Sequence, residues 1–162
     1  MGEMAVLPPG VSLASPAARF ILRGGPDAVA SIAAAFGVAP SLTPLTACVA
    51  GGRAALWLGP DEWLLIGEDG VDPGLSQVPH SLVDVSHRQA GLILDGPGAA
   101  RMLNAGCPLD LDIAAFPAGM CARTLFHKAE IVLWRLAPER FQVEVWRSFV
   151  PYVLAHLAAG QG

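Results

Sequence analysis

The chain is short of charge. Asp, Glu, Lys and Arg make up 15% of its 162 residues, where roughly 25% is average for a soluble domain. Hydrophobic residues reach 53%, above the usual range of about 45–50%. With so few charges the chain cannot cover its whole surface with polar groups, which favours a protein that hides part of that surface against a partner. The charge that is present has no basic excess: 10 Lys and Arg against 14 Asp and Glu leave a net charge of −4. The basic footprint of nucleic-acid binding is missing, and so is the polybasic cluster that would hold a chain to an anionic membrane.

Cysteine is scarce as well. Cys48, Cys107 and Cys121 are odd in number, far apart and never in a C-x-x-C pair. Neither a disulfide framework nor a zinc ribbon is indicated, and three reduced thiols are expected in a cytoplasmic protein. The N-terminal stretch MGEMAVLPPGVSLASP has no positive charge ahead of an apolar run and is interrupted by Pro8-Pro9, so no signal peptide is expected. The longest uncharged run, Ala28 to Gly52, contains Gly37, Pro40 and Pro44 and reads as a helix end plus a loop rather than a membrane span. One domain is the natural size for such a chain, with a core that needs no metal or disulfide.

Residues 1–17 read as an extended, Pro-rich arm, followed by one α+β domain over 18–159. Arg19 to Leu22 is a short strand, and Gly24-Gly25-Pro26-Asp27 opens a helix whose face is Val29, Ile32, Ala33 and Phe36, with Gly37 as its stop. Val38 to Gly52 reads as a loop of functional length. Residues 54–58 and 62–67 flank Gly59-Pro60-Asp61, a type I turn, and predict a β-hairpin. After an acidic Gly/Pro loop, His80 to Val85 is a strand.

The chain is organised around DVSHRQAGLILDGPGAARMLNAGCPLDLD, from Asp84 to Asp112. Gly91 to Leu94 is a buried strand ending in Asp95-Gly96-Pro97. Pro97 suits the first turn of a helix, Ala99, Ala100, Met102 and Leu103 its apolar face, and Gly106 a left-handed stop. Strands follow at 122–126 and 131–136, with His127-Lys128-Ala129-Glu130 between them, then an alternating strand through Phe141, Val143 and Val145. Ser148 is the expected cap of a last helix with Val150, Val153, Leu154 and Leu157 on its apolar side.

A repeat emerges from this order. FILRGGPDAV (20–29) and LILDGPGAAR (92–101) share Ile, Leu, Gly and Ala at a constant offset of 72. LWLGPDEW (56–63) and LWRLAPERF (133–141) share Leu-Trp, a following Leu, and Pro-acid-x-aromatic. The predicted fold is therefore two related β-α-β-β units, near 18–80 and 81–159, with mostly antiparallel sheets and helices packed on them.

Asp84-x-Ser86-His87, the strand that ends near Gly96 and the helix after it together resemble the opening motif of the folate-binding aminomethyltransferase fold, that of the glycine-cleavage T-protein. With LGPDEWLLIG and PERFQVEVWRSFVPYVLAHL added, residues 17–158 more closely resemble the gamma subunit family of bacterial heterotetrameric sarcosine oxidases. That resemblance implies a cytoplasmic complex with alpha, beta and delta subunits that demethylates sarcosine to glycine, with hydrogen peroxide and formaldehyde or its tetrahydrofolate adduct. It also implies that FAD, FMN, NAD and tetrahydrofolate belong to partner subunits and none to this chain. One segment departs from the T-protein pattern. A Gly-Gly-x-x-Asp-Asp-like segment is expected between the strands at 122–126 and 131–136, and His127-Lys128-Ala129-Glu130 stands there instead. Glu130 is the one carboxylate available and is displaced toward the turn, and since a general acid or base must reach its proton within hydrogen-bond distance, a shifted carboxylate is a poor substitute.

Other candidate sites reduce to structure. Ser86 and His87 are adjacent on a strand, so their side chains point apart and form no nucleophile–base pair, and no G-x-S-x-G elbow is present. His80, His87, His127 and Cys121 show no metal-ligand spacing. Gly24-Gly25-Pro26 and Gly96-Pro97-Gly98 precede helices but lack the G-x-G-x-x-G pattern, and proline removes an N–H that a phosphate would need. Trp57, Trp134 and Trp146 are expected in packing, and Trp63 in the core as the counterpart of Phe141. The subunit-interface candidates are Arg88, Arg123, Val150, Leu154 and Leu157, the last three on a terminal segment, 148–162, without Asp, Glu, Lys or Arg. The expected function is that of a non-catalytic subunit. A free-standing folate-binding protein or aminomethyltransferase-like enzyme, and a ligand-free assembly scaffold, are the alternatives.

Overall fold

The computed structural model describes residues 6–74 and 77–161. In chain order the elements are β1 (Val11–Leu13), β2 (Ala17–Gly24), α1 (Pro26–Phe36), β3 (Ala47–Ala50), β4 (Arg53–Gly59), β5 (Glu62–Glu68), β6 (His80–Asp84), β7 (Gln89–Asp95), α2 (Ala99–Asn104), β8 (Cys121–Phe126), β9 (Ala129–Ala137), β10 (Arg140–Trp146), a 3₁₀ turn (Arg147–Phe149) and α3 (Val150–Ala159). They form two five-stranded sheets, ordered β1-β7-β10-β9-β8 and β3-β4-β5-β2-β6. β1 with β7, β7 with β10, β10 with β9, β2 with β5 and with β6, β3 with β4, and β4 with β5 all pair antiparallel.

Two compact units divide the chain. One comprises Ser15–Arg88 and Gly119–Ala122; the other comprises Met1–Ala14, Gln89–Ala118 and Arg123–Gly162, so far as these are described. Within each, the order of strands is the same: an edge strand, then the strand that leads into a helix, then a hairpin partner, its mate and an outer strand. β7, β10, β9 and β8 repeat β2, β5, β4 and β3, and the outer places are filled by β1 and β6. The expected α+β fold of two related units is what the chain adopts.

In the first unit, β2 lies between β5 and β6, with Phe20 opposite Leu65 and Leu22 opposite Trp63. Alternation along these strands sends Ala18, Phe20 and Leu22 to one face. Val29, Ile32 and Phe36 of α1 complete that core, together with Ala55, Trp63 and Leu65. Helix α1 closes at Gly37, whose φ of 83° is the left-handed stop expected there. The buried indole of Trp63 donates to the Ser41 carbonyl at 2.8 Å, so its polar edge is satisfied.

In the second unit, Leu94 sits opposite Phe141 and Leu92 opposite Val143. Phe141 faces Arg135, and Val143 faces Leu133, on the other side. Trp63 and Phe141, matched in the repeat, are both 0% exposed. Arg135 is only 4% exposed, and carbonyls rather than carboxylates satisfy it. Nη1 donates to Leu111 at 3.0 Å and to Phe116 at 2.7 Å, and Nε to Pro138 at 3.2 Å. Its guanidinium also stacks 4.6 Å above the Phe141 ring. One side chain thus ties the irregular 111–116 segment and the β9–β10 turn to the sheet.

Several local expectations change. The 38–52 loop contains β3, which pairs with β4 across Gly51-Gly52; both glycines have positive φ, +56° and +80°, as a tight hairpin turn requires. Within the expected arm, β1 pairs with β7 and β2 begins at Ala17; its first five residues lie outside the described residues. Pro97 precedes α2, which starts at Ala99 with Gly98 at the cap. Ser148 does not cap α3, because the 3₁₀ turn intervenes and Phe149 holds that position. Gly106 is not the left-handed stop of α2, since Ala105 ends the helix in right-handed geometry. Its smallness has another cause. A Cβ there would collide with the His127 ring and lie 2.9 Å from Phe126 Cε2, while its carbonyl accepts the His127 N–H at 2.8 Å.

Two consequences follow. Gly106→Val is expected to cost about 1–3 kcal/mol through overpacking against buried Phe126, seen as a lower midpoint in urea at unchanged slope. Arg135→Met removes the donor from three carbonyls at once and is expected to cost 3 kcal/mol or roughly more by the same measurement, with Arg135→Lys giving little rescue because an ammonium lacks the planar fork.

Candidate functional site

The Asp84-x-Ser86-His87 motif closes the turn after β6. Asp84 Oδ1 accepts the Ser86 N–H at 2.8 Å. The Ser86 side-chain and backbone bonds hold the Asp84 carboxyl below the usual carboxylate range. Ser86 Oγ accepts the Arg19 N–H at 2.9 Å, and the Arg19 carbonyl accepts the Val85 N–H at 2.8 Å. The motif therefore locks the β6 exit to β2. His87 is exposed, and no serine–histidine contact is formed among the described residues.

The turn between β8 and β9 is where the T-protein pattern would place its acid. It is a two-residue turn, His127-Lys128, with His127 in the left-handed region at φ 51°. Glu130 already belongs to β9 and is exposed to solvent. The turn faces other aromatic groups instead: the His127 ring stacks on His156 at 4.1 Å and meets Phe126 edge-on at 4.9 Å. An exposed carboxylate on a strand has no enclosed volume around it in which to hold a substrate. The residues present do not fit a folate-dependent proton transfer.

The remaining histidines and cysteines are dispersed. His80 Nδ1 lies 2.7 Å from the Val78 carbonyl, and burial pushes the Cys121 thiol up to about 12. Among the described residues, no group of three His, Cys, Asp or Glu side chains is assembled that could hold a metal. In the second unit, a cleft of about 540 Å³ runs beside α2, between Gly96-Pro97 and Asp110–Ile113, with Arg101, Arg135 and Glu139 on its wall. Its charges are of mixed sign. Asp110 and Asp112 accept the N–H groups of Asp112 and Ala114 in their own turns, so their carboxylates organise the loop.

Of the interface candidates, Arg88 and Arg123 are exposed and Val150 is half-buried. Leu154 and Leu157 are 5% and 0% exposed, so with Val153 they form the inward face of α3 and are spent on the chain's own core. Trp134 is buried, Trp57 half-buried and Trp146 44% exposed. The Trp57 indole N–H and Gln89 Oε1 are buried without a hydrogen-bond partner among the described residues. Sequence reading passed over the rings of Phe149, Tyr152 and His156. Their spacing of three and four residues was the available signal, since it places them along one side of a helix.

Residues 23–161 match the sarcosine oxidase, gamma subunit family. The sarcosine oxidase subunit gamma of Corynebacterium sp. strain U-96 is 33% identical over 132 residues, 77% of this chain and 64% of that protein. The subunit gamma of an Arthrobacter species is 34% identical over 121 residues, 70% of this chain and 60% of that one. The chain thus spans a little under two thirds of the length of these curated relatives. Among solved structures, a heterotetrameric sarcosine oxidase from Corynebacterium sp. U-96, in complex with pyrrole 2-carboxylate, superposes with a TM-score of 0.86 at 28% identity, covering 93% of this chain and 82% of that one. The glycine cleavage system aminomethyltransferase T from Bartonella henselae shares the fold, with a TM-score of 0.66 at 14% identity, covering 91% of this chain and 45% of that one. The chain belongs to the sarcosine oxidase gamma subunit family.

Proposed function

We propose that this chain is the small, non-catalytic gamma subunit of a cytoplasmic heterotetrameric sarcosine oxidase, assembled with alpha, beta and delta subunits. In this reading the N-methyl carbon of sarcosine is oxidised and dioxygen is reduced to hydrogen peroxide. Glycine is left, and the methyl carbon departs as formaldehyde or as methylene-tetrahydrofolate. FAD, FMN, NAD and tetrahydrofolate are held by the partner subunits. The observation that carries the non-catalytic role is the β8–β9 turn, where the exposed Glu130 stands in for the acid of the related folate enzyme. Low charge content supports a chain that is finished by assembly. A permanent subunit contact buries about 2,000 Å² or more, and Arg88, Arg123 and Val150 are its candidates outside the core. Among the described residues no helix is long and apolar enough to cross a membrane.

Co-expression with the other subunits, followed by affinity capture through a tag on this chain, is expected to recover a stoichiometric complex. A stable monomer that captures nothing would refute the reading. Calorimetric titration of the isolated chain with tetrahydrofolate is expected to show no binding heat at high micromolar ligand. Saturable heat there would restore the folate-binding alternative.

A further inference from the structure

Each five-stranded sheet ends on strands with a neighbour on one side only, and such edges are open to pairing unless the chain defends them. Three of the four ends are defended. β1 is three residues long and lies between Pro8-Pro9 and Pro16. β3 has four residues, and its edge is taken up by the Thr46–Met120 bridge and by the Gly119 carbonyl, which accepts the Ala47 N–H. β8 carries the exposed, charged Arg123 in its middle. β6 has none of these defences. His80–Asp84 runs five residues without proline, lysine or a register shift, and among the described residues only β2 lies beside it.

The register fixes which groups this edge presents. The Gly24 N–H donates to the Asp61 carbonyl on the β5 side. On the β6 side the Arg19 carbonyl accepts the Val85 N–H, and the Arg19 N–H reaches Ser86 Oγ. Alternation then turns the backbone groups of Ile21 and Arg23 toward β6, and those of their partners Val83 and Ser81 toward β2. His80, Leu82 and Asp84 therefore direct their N–H and C=O groups outward. Their side chains share a face with Phe20, where they line a cavity of about 320 Å³ with Asp72, Pro73 and Gly74. Val83, on the opposite face, is 51% exposed.

This outward set is complementary to itself. Placed antiparallel about a two-fold axis at Leu82, two copies of β6 bring Leu82 opposite Leu82 and His80 opposite Asp84 at both ends, each pair exchanging its backbone bonds. The side chains agree with that register. Imidazole gains a proton near neutral pH, and the Ser86 bonds hold the Asp84 carboxyl below the usual carboxylate range. With His80 Nδ1 at 2.7 Å from the Val78 carbonyl, Nε2 is the nitrogen left for that carboxylate. Asp72, the other acid on the cavity wall, already accepts the Gly74 N–H at 2.9 Å. The central leucines meet where the edge leaves the cavity open, and Ser81 stands opposite the exposed Val83. No like charges oppose each other along the pair.

We propose that β6 is a self-pairing edge, through which two copies of this chain join their β3-β4-β5-β2-β6 sheets into one continuous sheet. The contact is isologous and uses the main-chain pairing of strand addition. It needs no other subunit, so it and the oxidase-subunit reading fail separately.

Sedimentation velocity on the full-length chain, from low to high micromolar concentration, should show a monomer–dimer equilibrium. The N–H groups of His80, Leu82 and Asp84 should exchange with deuterium more slowly as concentration rises. His80→Lys, which keeps a cation opposite Asp84, should tighten the dimer and His80→Glu should weaken it, each about fivefold, the size of two cross-strand charge pairs. Opposite effects at one site cannot both come from lost folding. Leu82→Pro deletes an outward N–H that β2 does not use and should weaken the dimer about tenfold; a thermal melt reports whether it is folded. A chain that stays monomeric at every concentration overturns the proposal. So does a dimer that both His80 variants leave unchanged. An edge whose exchange slows only when the alpha, beta and delta subunits are present also overturns it, and assigns the edge to a partner's strand.

Discussion

The antiparallel pairing of β7 with β10, residue for residue from Gln89–Trp146 to Asp95–Arg140, is the constraint on which most of the second unit depends. Because side chains alternate with a period of two, that register alone decides that Leu92, Leu94, Phe141 and Val143 share the buried face. A slip of one residue would expose all four. The same constraint operates in the first unit, where β2 runs against β5 and puts Leu22 beside Trp63. In both, the short hairpin to the next strand carries a register irregularity, between Trp57 and Gly59 and between Arg140 and Phe141. Two copies of one pairing rule thus account for both sheets.

The scarcity of charge has to be read together with where the charges went. Arg19, Arg135 and Glu144 are at most 4% exposed, an unusual use of so few ionised groups, since burying them carries a desolvation penalty. Arg135 shows how the penalty is offset: three carbonyls accept from the cation and an aromatic face lies against it. The motif that suggests chemistry, Asp84-x-Ser86-His87, is used in the same structural way, its hydroxyl and carboxylate occupied by backbone N–H groups. A side chain committed to holding the backbone is poorly placed to move a substrate's proton. The fold is shared with the glycine cleavage system aminomethyltransferase T of Bartonella henselae.

Much of the architecture was legible in the sequence because it depends on local order. The repeat could be read from Ile21-Leu22 against Ile93-Leu94 and from Trp63 against Phe141, since each copy must bury the same alternating positions. The α1 stop at Gly37 was legible for a similar reason, as left-handed geometry selects glycine. β3 was missed although Gly51-Gly52 marks its hairpin, because a four-residue strand without a long apolar alternation gives little periodic signal. Gly106 was assigned the right importance for the wrong cause: helix-stop chemistry is local, whereas the approach of His127 comes from a hairpin 21 residues later.

The sequence by itself determined the α+β class, the duplication and the apolar face of α1, because these follow from spacing and residue type over short stretches. Only the tertiary structure decided which side of α3 was spent on the core. Leu154 and Leu157 read as partner surface in a sequence without charges, and the fold turns them inward. It equally decided that Phe149, Tyr152, His156 and His127 form one row, since Tyr152 and His156 lie on α3, Phe149 on the 3₁₀ turn before it and His127 on a distant turn. Contacts across such separations are set by packing, and no local pattern encodes them.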